Sequence, residues 1–280
     1  MTLDRTTVQN AQLALLLEVA GTPKPGNVDR EHDYPDLHFE QFLAGAVGTH
    51  NGLSLVANGE SLGTGFERAI AGMSNQRGGN TQFGAVLLLT PLVAAASRGE
   101  LTPERASAVV EETTVEDTVA FYQAFDHVDV AVSEPPEGMA PLDVRHGSEA
   151  EAAIREREIP LGELMAESAA VDGIASEWTG GFKRTFEAAD ALLRRDGPVT
   201  ERAAAVFLAL LASEPDTFVI DKHDRETAIE VQQRAEAALE GDENVNDLAE
   251  EFIARGINPG TTADIVAGGL FVALERGMEV

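Results

Sequence analysis

Apolar residues recur every three or four positions through most of the chain, as at Val8, Ala11, Leu15 and Val19, and later at Val206, Leu210 and Leu211 among alanines. That spacing lines one face of an α-helix. It predicts helices over 5–20, 38–58, 63–74, 81–98, 102–111, 114–125, 149–157, 160–170, 175–195, 199–213, 224–240, 246–255 and 261–276. The period-two alternation of half-buried strands is nearly absent, so the expected fold class is all-α, a single globular domain of about 12–13 helices over 1–280. No repeat of fixed period and no Ser- or Gly-rich linker divides the chain. The exception is 126–160, where Pro135, Pro136, Pro141 and Pro160 fall in a charged stretch. An irregular excursion is expected there, serving as a functional lid or as a plain surface loop.

Composition narrows the function classes. At 280 residues and 44% hydrophobic content the chain can bury a sizeable core, and the absence of cysteine excludes disulfide scaffolds, thiolate zinc sites and cysteine nucleophiles. The most apolar runs, 85–96 and 265–274, are far shorter than the ~20 residues that span a bilayer. The start, Met1-Thr2-Leu3-Asp4-Arg5, lacks a basic leader with a long apolar core, so a cytoplasmic protein without membrane attachment is expected.

The 48 acidic residues outnumber the 20 basic ones for a net charge of −28, and only three of the basic residues are lysines. A dispersed acidic surface with scarce lysine suits molar salt, where the Debye length falls to ~3 Å, and it reads as halophilic. An ordinary acidic protein is the alternative. With no basic stripe and few aromatics, nucleic-acid binding is not expected. Residues 1–100 hold ten acids and six bases, a balance of −4, and the remainder carries the other −24. A site for an anionic ligand is therefore expected to draw on the first third of the chain.

Three loops that open helices concentrate the candidate chemistry. In Thr22-Pro23-Lys24-Pro25-Gly26-Asn27-Val28-Asp29 the prolines stiffen a turn around Lys24 and Gly26 permits a positive φ, which can aim an ammonium. Asp29, His32, Asp33 and Asp36 follow closely, a density that suits a hard cation and equally suits turns and caps. In Arg77-Gly78-Gly79-Asn80-Thr81-Gln82-Phe83-Gly84 the glycines allow a ligand near free N–H groups, with Asn80 or Thr81 as a cap. It is not a P-loop, because Gly-x-x-x-x-Gly-Lys-[Ser/Thr] is missing. In Gly256-Ile257-Asn258-Pro259-Gly260-Thr261-Thr262-Ala263-Asp264, Thr261 and Asp264 fit a capping box, while Asn258, Gly260 and Thr262 are unexplained by capping. A fourth cluster, Asp216-Thr217 through Asp221-Lys222-His223-Asp224-Arg225, places a lysine and a histidine among aspartates, an arrangement that solvated ion pairs also explain.

Taken in order, Glu18 with Thr22-Pro23-Lys24-Pro25-Gly26-Asn27-Val28-Asp29, then Gly79-Asn80-Thr81 with Gly84, then Asp216-Thr217, then Ile257 through Asp264, resemble the triphosphoribosyl-dephospho-CoA synthase family over almost the whole chain. The resemblance implies an all-α enzyme that uses Mg²⁺ and ATP, moves the triphosphoribosyl group of ATP to a hydroxyl of 3′-dephospho-CoA and releases adenine. The product in that family is the precursor of an acyl-carrier prosthetic group. Three stretches depart from the pattern. The family's Asn-Thr-His-Lys-Gly reads Asn80-Thr81-Gln82-Phe83-Gly84 here, which removes a cation. Its Gly-Ala-His-x-Asp-Met stretch becomes Glu31-His32-Asp33-Tyr34-Pro35-Asp36-Leu37-His38-Phe39. After Asp216-Thr217, Phe218 and the Asp221–Asp224 cluster replace the usual Asn and Arg-Gly-Gly. Lys222 and His223 can restore the charge from another loop, or the acceptor differs.

Breaking a ribosyl–adenine bond passes through an oxocarbenium-like state, which carboxylates stabilise while an acid or neutral imidazole assists the departing base. The catalytic candidates are Asp29, His32, Asp216 and His223. Lys24, Gly26, Asn27, Arg77, Gly79, Asn80, Thr81, Lys222, Asn258, Gly260, Thr261 and Thr262 are the candidates for binding ATP, and Asp29, Asp33, Asp216 and Asp264 those for Mg²⁺. The expected partners are small molecules, and a homodimer is compatible with the sequence. Other readings are ribosyl transfer to another acceptor or to water, a non-catalytic nucleotide-binding regulator, and a helical interaction protein whose motifs are only caps.

Overall fold

A computed structural model describes residues 5–132, 135 and 138–280. Residues 1–4 and, in the excursion, Pro136 lie outside the described residues. Among those described there are sixteen α-helices and three short 3₁₀ helices, with one isolated bridge between Tyr34 and Leu37 and no strand. In chain order the α-helices are α1 (Thr7–Ala20), α2 (Phe39–Gly48), α3 (His50–Ala57), α4 (Leu62–Met73), α5 (Phe83–Ser97), α6 (Pro103–Glu111), α7 (Val115–Gln123) and α8 (Glu151–Arg157). They continue with α9 (Leu161–Ser168), α10 (Gly173–Thr179), α11 (Lys183–Arg194), α12 (Val199–Ser213), α13 (Thr217–Lys222), α14 (Arg225–Glu240), α15 (Val245–Ala254) and α16 (Gly260–Glu275).

The expected all-α fold is what forms, with more helices than the periodicity predicts because two predicted helices are divided and one further helix forms. The helix predicted over 38–58 bends at Thr49, where α2 crosses α4 so closely that a Cβ on Gly48 would lie 2.1 Å from the Gly72 carbonyl. The one predicted over 175–195 breaks at Gly180-Gly181, and the buried Glu177 carboxylate then accepts the Arg184 and Thr185 N–H groups at 3.0 and 2.8 Å, starting α11 afresh. Residues 217–222, read from sequence as part of a charged loop, form α13 because Asp216 caps it through the Phe218 and Val219 N–H groups.

Two helices form the centre. α5 and α16 are apolar on all sides and buried along nearly their whole length, as expected of helices surrounded by others. α16 packs on α1, α5, α11 and α12. Its Gly268-Gly269 pair makes this possible, since a Cβ on Gly269 would stand 2.7 Å from the Ala188 Cβ of α11. Pro91 lies inside α5, and the carbonyl it leaves without a helical donor, Leu87 O, accepts the Trp178 indole N–H at 3.3 Å instead. The helix therefore keeps its course without a buried orphan. In the excursion, 3₁₀ helices at Ala140–Leu142 and Val144–Ala150 pack on α8, and the second of them also on α7.

Candidate active site

The site begins with a stiff loop. Gly26 adopts φ +76°, and any side chain there would collide with the Ile257 carbonyl, 2.3 Å from the position of a Cβ. This close approach brings the first loop against the last. Asn27 donates to Asn258 Oδ1 at 2.9 Å, and the Tyr34 hydroxyl donates to Gly26 O at 2.6 Å and Ile257 O at 2.9 Å. Asp29, fully buried, holds the loop in shape by accepting the main-chain N–H groups of Lys24, Glu31 and His32 and pairing with His32 Nδ1 at 2.9 Å. Lys24 turns inward: its ammonium donates to Glu18 and, at 2.8 Å, to Asn27 Oδ1, with no solvent exposure.

The last loop opens α16, and Asp264 does not complete a capping box there. Its carboxylate reaches across to the start of α5, where a Cβ on Gly84 would lie only 2.0 Å from Asp264 Oδ2. The beginnings of α13 and α16 are tied by Asp216, whose second oxygen accepts both the N–H and the hydroxyl of Thr262 at 2.7 Å. Thr217 and Thr261 join hydroxyls at 2.9 Å, and Thr217 also accepts the Gly173 N–H that opens α10.

The starts of α5, α10, α13 and α16 consequently border one cavity of about 280 Å³. Glu18, Asn27, Asn80, Thr81, Asn258, Thr261, Asp172, Asp221 and Asp264 line its polar end. α5 and α16 are long enough to bring the positive ends of helix dipoles to it. Among the described residues that line the cavity none is Lys, Arg or His. Burial, and after it the charges of Glu18 and Asp216, push the Asp264 carboxyl well above the usual carboxylate range, although the Ala85 N–H pulls the other way. Burial likewise raises Asp172, Asp216 and Glu18, the last against the pull of Lys24. The arrangement is a pocket lined by carboxylates, with the Lys24 ammonium held on Glu18 behind its wall.

Of the residues singled out from sequence, Asn27, Asn80, Thr81, Asn258, Gly260, Thr261 and Asp264 border this cavity. Gly26, Lys24, Asp29, Asp216 and Thr262 stand behind it and hold its wall. His32 is occupied with Asp29, and Asp33 is exposed, accepting the Phe39 N–H and facing His38. Arg77 and Gly79 are exposed on the second loop. Lys222 sits outside, 5.8 Å from the Phe218 ring centre, and the exposed His223 faces Gly256 O at 3.1 Å. No three His, Asp or Glu side chains among the described residues stand close enough to hold a metal ion unaided. Sequence reasoning passed over Glu18 as a site residue, together with Asp172 and Asp221. Two signals pointed to Glu18: its place at the head of the first motif block, and its register with Ala11, Ala14 and Leu15, which puts a carboxylate on the apolar stripe of α1.

Residues 4–279 match the family model of ATP:dephospho-CoA triphosphoribosyl transferases. The chain belongs to this family. A solved structure from Archaeoglobus fulgidus, of a protein provisionally named triphosphoribosyl-dephospho-coA synthase, superposes with a TM-score of 0.69 at 28% identity, covering 84% of this chain and 99% of that one. No curated protein matches significantly.

Against the transferase pattern, Gln82 and Phe83 have structural consequences. Gln82 is buried at 4% exposure, donates to Leu15 O at 3.3 Å and leaves its Oε1 unpartnered. Phe83 joins an aromatic group, its ring centre 5.1 Å from Phe66 and 4.8 Å from Phe125. The cavity is lined by apolar as well as acidic residues. Beyond the carboxylates it continues into an apolar annex walled by Phe83, Phe121, Phe125, Met139, Leu142 and Met165.

Proposed function

We propose that the protein transfers the triphosphoribosyl group of ATP, in the presence of Mg²⁺, to a hydroxyl of 3′-dephospho-CoA or a closely related acceptor, releasing adenine. The observation that carries this reading is the convergence of Glu18, Asp172, Asp221 and Asp264 with the starts of α5 and α16 on one cavity. In the transfer the C1′–N9 bond breaks, its electron pair leaves with adenine, and the acceptor oxygen bonds to C1′; the proton lost by the acceptor balances the one gained by the base. Glu18, anchored by Lys24, and Asp264 face the sugar and stabilise the developing positive charge. Asp221, at the exposed rim, accepts the hydroxyl proton. Asn27, Asn80 and Asn258 orient the triphosphoribosyl group.

The donor set fits a hard cation. It offers oxygen ligands, and the Asp264 and Asp172 carboxyls are raised by burial and by neighbouring carboxylates, a repulsion that a divalent ion relieves. Asp264 and Asp172 would hold Mg²⁺, which binds through one or two carboxylates together with substrate phosphates and supplies charge neutralisation to the triphosphate. Asp29, Asp33 and Asp216, whose carboxylates serve the loops and caps described above, are not assigned to the ion.

The test is an incubation with ATP and Mg²⁺ in high salt, with and without dephospho-CoA, followed by mass spectrometry. Free adenine together with the triphosphoribosyl adduct supports the proposal. Adenine without the adduct moves the reading to another acceptor or water, and ADP in place of adenine refutes ribosyl transfer.

A further inference from the structure

The proposed function assigns the triphosphate, the sugar and the cation to the acidic part of the cavity and leaves the annex without an occupant. Its wall is built around the aromatic group: Phe66 lies behind, 5.7 Å from Phe121 and stacked on it, while Phe121 and Phe125 meet edge to face at 5.3 Å. Two of the polar side chains at this end, Tyr122 and Asp143, are committed to the protein. The Tyr122 hydroxyl donates to Leu142 O at 2.6 Å, and both Asp143 oxygens accept from Arg145 Nε at 2.9 Å. The annex therefore presents aromatic and aliphatic surface. A flexible arm carrying amide groups would bury polar atoms there without side-chain partners, which is costly. A flat heteroaromatic ring gains from stacking on aromatic side chains, and its ring nitrogens can keep to the open side of the cavity. Phe83 is also the immediate neighbour of Gly84, the residue on which Asp264 closes. A base resting on Phe83 thus has its sugar beside the carboxylates.

We propose that the Phe83–Phe121–Phe125 annex is the seat of the donor nucleotide's base and selects it by stacking, and that Phe83 is a specificity-determining residue of this chain. The inference rests on the proposed nucleotide donor. Seating the base here separates it from the triphosphate by the width of the sugar, with the bond to be broken at the junction of the apolar and acidic ends.

The experiment uses the full chain in high salt with Mg²⁺ and the 5′-triphosphate of 2-aminopurine riboside, whose emission is quenched by stacking. Emission falls as this nucleotide binds the wild type. Phe83→Leu, or Phe125→Leu if the more buried position disturbs folding, relieves the quenching and weakens nucleotide binding roughly tenfold or more, while inorganic tripolyphosphate competes as in the wild type. ATP and GTP bind with affinities within about a hundredfold, as a site without hydrogen-bond readout of the base requires. Emission that stays constant during binding, a larger preference between the two purines, or variants that lose affinity for dephospho-CoA while keeping it for the nucleotide would each overturn the assignment. Adenine release from ATP in the presence of dephospho-CoA, measured with the same proteins, separates the two proposals: release without quenching refutes the base seat alone, and quenching without release refutes the transfer.

Discussion

Lys24 works on the protein, because its buried ammonium ends on Glu18 and Asn27 and sets the position of a carboxylate that the cavity uses. Removing one partner of a buried ion pair leaves the other charge uncompensated, at a cost of about 3–5 kcal/mol. Lys24→Met is expected to lose stability in that range by urea denaturation, and the Lys24→Met, Glu18→Gln double variant to recover most of it. A double variant no more stable than the single would show that the pair is not what stabilises the loop. Asp143 provides a pH-dependent counterpart. Its hydrogen bonds from the Arg145 guanidinium hold its carboxyl below the usual range, so its contribution is present above the ordinary carboxylate pKa of about 3.9 and is lost as pH falls through the lower folded value. Asp143→Asn should therefore lower Tm at neutral pH by roughly 2–4 °C, with the difference from wild type closing as the medium is acidified below about pH 4. A difference constant with pH would assign the effect to packing.

The starts of helices, more than their faces, build this site. Asp216 ties α13 to α16, Thr217 ties α13 to α10, and Asp264 ties α16 to α5. The contact at Gly84 has the least tolerance, since an added methyl group would meet Asp264 Oδ2 at 2.0 Å. Gly84→Ala is expected to move Asp264 by about an ångström and reduce turnover by roughly a hundredfold, while thermal unfolding falls by only a few degrees. A variant with wild-type turnover would remove Asp264 from the reacting centre. The cap signals at Asp216 and Asn80 were readable as residue types, and Asn80 does accept the Phe83 N–H at 3.1 Å. The helix to which Asp264 would turn was not readable. Its spacing from Thr261 fits a local capping box as well as it fits a contact with a distant chain segment, and only packing separates the two.

The whole molecule carries its −28 charge largely outside the first hundred residues, partly organised into surface networks such as Arg234 with Glu243 and Glu251, and Arg255 with Glu230. Such exposed pairs contribute little singly, and the self-repulsion of the excess acids is relieved as salt shortens the Debye length from ~10 Å at 0.1 M to ~3 Å at 1 M. The urea midpoint followed by circular dichroism should rise between 0.1 and 2 M KCl. A midpoint that falls or stays level would set aside the halophilic reading. The near-neutral first third contributes Glu18, Asn27, Asn80 and Thr81 to the cavity, in line with the charge asymmetry, yet Asp172, Asp221 and Asp264 come from the acidic remainder.

Helix period, breaker residues and composition were enough to read an all-α chain, because burial of one face per helix imposes a spacing that survives in the order of residues. The motif blocks, in their order, were enough to indicate the transferase family. Side-chain direction was not legible. Lys24 and Asp29 look like ligand-binding groups in isolation but point into the protein, while Asp172, which carries no motif, and Asp221, which looked like one of a cluster of solvated ion pairs, border the cavity. That distinction arises when helices distant in sequence pack with their first turns together. The field, solvation and free valences of each carboxylate belong to the assembled pocket, and no short stretch of chain contains them.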